Sequence, residues 1–156
     1  REIFLQAEKH KGTSVVESAQ NCVIYNDKTH VEITDKKYTD DRQIVLRHGE
    51  PLIFGKYKDK GIVLEGVKLK VVQLGKGGYT RDDLLVHDQT IKDPGIHLML
   101  ANMQNPVYPV AVGIIRAVEA DTYEKKLENQ IKQVQQQSEY QCMDDLLHSG
   151  ITWEIK

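Results

Sequence analysis

Two cysteines, six histidines and one glycine-rich loop are the parts of this sequence whose residue types could do chemistry. A self-contained metal site needs donors at a spacing such as HxH, HExxH or CxxC. None of the six histidines lies in such a spacing or in a His-Cys one, and Cys22 and Cys142 are far apart without a CxxC partner. In a cytosolic setting two such thiols are not expected to form a disulfide, and by residue type alone each reads as a small buried hydrophobe. His87-Asp88 has the form of a base with its orienting acid, and equally that of a surface pair or a turn acceptor. Gly75-Lys76-Gly77-Gly78 has the composition of a phosphate loop, but such a loop should open a helix and end in Lys with Ser or Thr. Here Tyr79-Thr80-Arg81-Asp82-Asp83 follows, which predicts a plain turn. No Gly-x-Ser-x-Gly elbow, kinase loop or dinucleotide fingerprint is present.

Cys22 is the candidate that its neighbours place best. Residues 1 to 11, with Ile3, Phe4 and Ala7 as an apolar stripe, predict a helix already under way at Glu2 and stopped by Gly12. The first residue is arginine, and we read the N-terminus as a cut. The β-branched run from Thr13 to Glu17 predicts a short buried strand over Thr13 to Ser18. Cys22 then falls just beyond the C-terminal end of that strand, where α/β proteins put their chemistry.

Further along, the polar stretch from Asn26 to Arg42 predicts a surface connection and the boundary between two structural units. Arg47 to Phe54 predicts a short strand that Pro51 places at an edge. Ile62 to Leu64 and Val67 to Leu74 predict a hairpin or meander, because Val67, Leu69 and Val71 alternate with Lys68 and Lys70. Asp83 to His87 predicts another strand. Asp93-Pro94 predicts a capped helix running through Met103 with Ile96, Met99, Leu100 and Met103 on its inward face. Pro109 to Val118 is apolar at nearly every position and predicts a central strand covered on both faces. Asp121-Thr122-Tyr123-Glu124 predicts a capping arrangement that opens a polar helix to about Gln137. Its narrow seam of Tyr123, Leu127, Ile131 and Val134 suits either a domain surface or a neighbouring subunit. Trp153, the single tryptophan, is expected to pin the tail.

Composition bounds the function classes. The chain has 156 residues, enough for one domain, and with 28% charged and 6% aromatic residues its core must be modest and aliphatic. A formal net charge of -2 without a Lys or Arg cluster predicts neither nucleic acid nor an anionic membrane as partner. The longest apolar run, Pro109 to Ile115, is far below the ~18 to 20 residues that span a bilayer, and no segment resembles a cleavable signal. A cytoplasmic location is expected.

Several motifs in one order carry a resemblance. Lys11-Gly12-Thr13-Ser14-Val15-Val16-Glu17 followed by Gln20-Asn21-Cys22-Val23-Ile24-Tyr25-Asn26 resembles the segment after the thiamine diphosphate domain in the β subunit of 2-oxoacid:ferredoxin oxidoreductases. Arg42 to Leu52, Leu85-Val86-His87-Asp88, Pro109 to Glu119, Thr122-Tyr123 and the tail from Asp145 to Glu154 are similar in the same order. The Gln-Asn-Cys and Asp-Asp-Arg-Gln wording is most like the 2-oxoglutarate type.

The resemblance implies oxidative decarboxylation, in which a 2-oxoacid and coenzyme A give acyl-CoA, carbon dioxide and two electrons for ferredoxin. It implies thiamine diphosphate, Mg²⁺ and a [4Fe-4S] cluster in the full subunit, and an α subunit, ferredoxin, coenzyme A and the 2-oxoacid as partners. Cys22 matches the family's fourth cluster ligand, and is the one metal-ligating residue expected here. The Gly-Asp-Gly motif and the other three cluster cysteines are absent, so the sequence reads as a C-terminal half that alone binds neither cofactor nor cluster and carries no catalytic residue. The implied fold is α/β, with residues 1 to 25 as the last helix and strand of a doubly wound thiamine diphosphate-binding sheet and residues 26 to 156 as a C-terminal α+β domain. The alternative is a subunit-docking module built on the helix from Asp121 and the Trp153 tail. A sheet lacking its other strands should self-associate through Thr13 to Ser18 or the flanking helix, so we predict an oligomer in sedimentation at high concentration; a monomer there counts against it.

Overall fold

The computed structural model describes residues 1 to 151, 153 and 155. In chain order the elements are α1 (Glu2–Lys9), α2 (Val31–Thr34), α3 (Thr39–Arg42), β1 (Gln43–Leu46), β2 (Ile53–Phe54), β3 (Lys60–Glu65), β4 (Lys68–Gln73), a 3₁₀ turn (Arg81–Asp83), α4 (Gly95–Ala101), β5 (Val110–Gly113), α5 (Tyr123–Gln137) and α6 (Met143–Leu147). The mixed α/β class expected from the sequence is the one the chain has. Two compact units divide it, Arg1–His10 with Ser14–Val118, and Lys11–Thr13 with Glu119–Lys156.

In the first unit, β3 and β4 form the expected hairpin, antiparallel from Lys60 opposite Gln73 to Glu65 opposite Lys68. β2 pairs with the other edge of β3. The anticipated alternation holds where Leu69 is buried between exposed Lys68 and Lys70, and then Val72 is buried on the other face. Both faces of the hairpin are therefore covered. Ile62, Leu69 and Val71 pack with Ile44, Leu46, Leu52, Phe54, Leu100 and Met103, while Val63 and Val72 pack with Leu84, Ile53, Leu74 and Tyr79. Gly61 lets the second cluster close, since a Cβ there would stand 2.4 Å from Leu84 Cδ2.

β1 and β5 make a separate parallel pair, Gln43 opposite Val110 through Leu46 opposite Gly113. The expected central strand over Pro109 to Val118 is thus corrected: β5 has four residues, all half-buried, and among the described residues β1 is its one partner. Gly113, at φ 107, ends it where a Cβ would stand 2.7 Å from the Leu46 carbonyl oxygen, and the chain beyond bonds elsewhere, with the Ala117 amide donating to Gln89 O at 2.7 Å. β1 went unanticipated, although buried Ile44 and Leu46 flank exposed Val45 in strand periodicity. The strand expected over Asp83 to His87 is a single bridge, Pro51 to Val86, because Asp83 Oδ2 accepts from both the amide and the hydroxyl of Thr80 at 2.8 Å and winds the chain into the 3₁₀ turn. α4 presents the expected face: Leu100 and Met103 are buried, and Ile96 and Met99 lie against the same cluster. It ends at Ala101, and Asp93 Oδ1 caps the turn before it by accepting from Gly95 N at 2.8 Å.

The N-terminal expectations need the largest correction. α1 ends at Lys9, with the His10 amide donating to Gln6 O, so Gly12 lies beyond the helix end. Thr13 to Ser18 forms no strand and is not buried; Val15 is 90% exposed. A strand exists through its neighbours, and none of the described strands pairs with this segment.

In the second unit, α5 is capped by Thr122, whose hydroxyl accepts from Lys125 N at 3.4 Å, while Asp121, expected as the cap, forms an ion pair with Lys125 at 3.0 Å. The seam of Tyr123, Leu127, Ile131 and Val134 is exposed along its length. Trp153 is 81% exposed and, with Ile151 and Ile155 exposed beside it, pins nothing among the described residues; Thr152 and Glu154 of that tail motif lie outside them.

The two-faced core makes two quantities measurable. Leu100→Ala should cost about 2 to 5 kcal/mol in denaturant unfolding, whereas Val67→Ala, at an exposed turn, should stay within about 0.5 kcal/mol. Equal losses at the two positions contradict this packing.

Candidate functional site

Cys22 stands on a closed turn, not at the end of a strand. The composition that makes the turn is Asn21 through Lys28, rich in residues whose side chains bond the nearby backbone. Asn21 spans it. Its Nδ2 donates to Asp27 Oδ1 at 2.9 Å and its Oδ1 accepts from the Lys28 amide at 2.8 Å. Between these anchors the Asn26 amide donates to Cys22 O at 2.9 Å, leaving Cys22 and Asn26 as an isolated antiparallel bridge. Lys28, at φ 63, turns the chain away, and the Thr29 hydroxyl donates to Asn26 O at 2.7 Å. Asn21 and Asp27 were the sequence signal for this loop, and strand propensity upstream obscured it.

The loop holds a thiol in the open with donors around it. Cys22, Val23, Ile24 and Tyr25 are all exposed. The backbone amides of Tyr25, then of Ile24 and Asn26, lie close enough to the Cys22 sulfur to draw its pKa below that of an ordinary cysteine. That environment favours the thiolate, the form that ligates a metal. A shallow depression of about 200 Å³ lies beside it, lined by Ala19, Asn21, Lys28, His30, Val31 and Thr34. Among the described residues no three of His, Cys, Asp and Glu could hold a metal together. Cys22 is thus an exposed soft donor that by itself makes no metal site.

The other candidates resolve differently. His87 is buried, and its Nε2 donates to Ile114 O at 2.9 Å. Burial, above all, lowers its pKa. Asp88 does not orient that ring: its Oδ1 accepts from the amide and hydroxyl of Thr90 at 2.8 and 2.6 Å and lies 3.4 Å from His48 Nδ1. The Thr90 hydroxyl, then its amide, hold the Asp88 carboxyl below the usual range. This is a turn acceptor and not a catalytic dyad. Sequence reasoning missed His97, which is buried on the inner face of α4 with Nε2 donating to Asp88 O at 2.9 Å. Helical spacing with Leu100 was the available signal. Gly75 to Gly78 is the expected turn. Cys142 is exposed and opens α6, its amide donating to Asp145 Oδ2 at 3.1 Å and its sulfur accepting from Asp145 N at 3.5 Å.

Comparison with known proteins agrees with the motif order. The chain is 30% identical over 158 aligned positions to the 2-oxoglutarate oxidoreductase subunit KorB of Mycobacterium tuberculosis (strain ATCC 25618 / H37Rv), a match that takes in 99% of this chain. The chain spans 41% of that protein's length. The resemblance drawn from the separated motifs is borne out. No family model and no solved structure matches the chain.

Asn21→Ala removes both anchors of the loop, each worth about 0.5 to 1.5 kcal/mol. Amide exchange at Asn26 and Lys28 should accelerate by about tenfold or more while the thermal midpoint of the core stays put. Undiminished protection contradicts the closure of the turn by this side chain.

Proposed function

From a chain related to the β subunits of 2-oxoacid:ferredoxin oxidoreductases and KorB-like along nearly all of its length, we infer that it is the C-terminal part of such a subunit and supplies one ligand, Cys22, to its iron-sulfur cluster. The observation that carries this reading is the exposed Cys22 thiol on its closed turn, within the Gln20-Asn21-Cys22 motif. A thiol whose pKa is lowered is more readily the thiolate, the form that ligates a cluster.

The reaction of the whole enzyme is then the oxidative decarboxylation of a 2-oxoacid, 2-oxoglutarate in the first instance, with coenzyme A, to acyl-CoA and carbon dioxide. Two electrons pass to ferredoxin. In the full subunit thiamine diphosphate, bound with Mg²⁺, supplies the carbon chemistry and a [4Fe-4S] cluster takes the electrons singly. Residues 1 to 25 complete the cofactor-binding domain and residues 26 to 156 form its C-terminal extension. By itself the chain is inactive, in a cytoplasmic enzyme.

A docking role sits beside the ligand role. The α5 seam of Tyr123, Leu127, Ile131 and Val134 is exposed on an otherwise polar helix, which suits contact with the α subunit. No helix is long and apolar enough to cross a membrane among the described residues.

Expression of the full subunit with Cys22→Ser should lower the iron-sulfur absorbance near ~400 nm and abolish ferredoxin reduction, and Cys142→Ser should change neither. Unchanged cluster content in Cys22→Ser overturns the ligand assignment.

A further inference from the structure

Among the described residues His87 and His97 are the two buried polar side chains, and the proposed reaction does not use their arrangement. Their rings meet edge to face with centroids 6.2 Å apart, and each is almost wholly enclosed. Each Nε2 faces a backbone carbonyl at 2.9 Å, Ile114 O for His87 and Asp88 O for His97. A carbonyl accepts only, so both rings carry their proton on Nε2. Each Nδ1 is then a buried lone pair, and neither has a partner among the described residues.

The two bonds fall where separate parts of the unit meet. The segment around His87 is tied to the three-stranded sheet through Leu52 N to Leu85 O and Leu85 N to Ile62 O, and to the turn before it through Gly49 N to His87 O and His87 N to Glu50 O. On its other side it holds the chain leaving β5, through His87 to Ile114 O, Ala117 N to Gln89 O and Arg116 Nη2 to Lys92 O. His97 brings α4 onto the same segment. The 87–89 segment is thus the one to which residues 114 to 117, α4 and the sheet are all fastened.

We propose that His87 and His97 form an acid-sensitive latch that keeps residues 114 to 117 and α4 fastened to the 87–89 segment while His87 is neutral and releases them when it is protonated. A second proton on the His87 ring would sit on Nδ1, where no acceptor waits and burial opposes the charge. His97 and His48 oppose it further, and Asp88 alone of the facing groups favours it. Asp88 is itself occupied by Thr90 and His48, so its help is shared. The sign follows from linkage. A histidine held below its ordinary pKa in the folded state binds fewer protons there than in the unfolded chain, so its contribution is whole above about pH 6.5 and is lost as pH falls through the folded value.

Hydrogen exchange of the protein at stepped pH, corrected for intrinsic rates, reads the latch directly. Peptides covering 84 to 90 and 110 to 118 should lose at least tenfold in protection between pH 7.5 and 5, ahead of the β3–β4 hairpin. His87→Gln keeps an N–H for Ile114 O without a titrating ring, and should flatten that dependence while leaving protection at pH 7.5. Should the variant not fold, ¹⁵N-detected histidine NMR of the unaltered protein decides: both rings protonated on Nε2 at pH 7.5, with His87 remaining neutral until the 110–118 amides open. Protection independent of pH, the same pH dependence in His87→Gln, or an Nδ1-protonated His87 overturns the latch.

Discussion

β3 has to be covered on both faces, and the first unit is arranged to do it. Ile62 has no exposed surface and Val63 almost none, yet successive residues of a strand point in opposite directions. One face is closed by the β1–β5 pair and α4 through Ile44, Leu46 and Leu100, the other by Leu84 lying over Gly61. In a chain this poor in aromatic residues the closure is aliphatic, so it depends on close fit more than on bulk. Gly61 is where that fit is tightest.

Because the core is confined to residues 43 to 118, the Cys22 loop is held by polar bonds of its own. Asn21, Asp27 and Lys28 do for it what strand pairing does for the hairpin. A loop held in this way can be closed and still fully exposed, as the proposed ligand role of Cys22 requires. The same separation leaves the heavily bonded 87–89 segment, with His87 buried, to hold the unit together while Cys22 stays exposed.

The hairpin and the inward face of α4 were legible in the sequence because each is a local periodicity, Leu69 between two lysines and Ile96, Met99, Leu100 and Met103 at helical spacing. Val72, β1 and the shortness of β5 were not, since each depends on a partner distant in sequence: Leu84 for Val72, and the two strands for one another. Thr13 to Ser18 has strand propensity without a strand beside it, and propensity cannot supply the missing hydrogen bonds. His87 read as a possible base because adjacency to Asp88 is visible in sequence, whereas the carbonyl of Ile114, 27 residues on, is not. Cys22 was singled out by motif order, whereas the turn that holds it, closed by Asn21 onto Asp27 and Lys28, became visible only in the structure.

Anomalous diffraction at the iron absorption edge from crystals of the full subunit tests the central claim most directly. Iron density bonded to the Cys22 sulfur, with the Asn21 to Lys28 turn closed as it is here, is the predicted result. A cluster fully ligated by other residues, with the Cys22 thiol free, would contradict it.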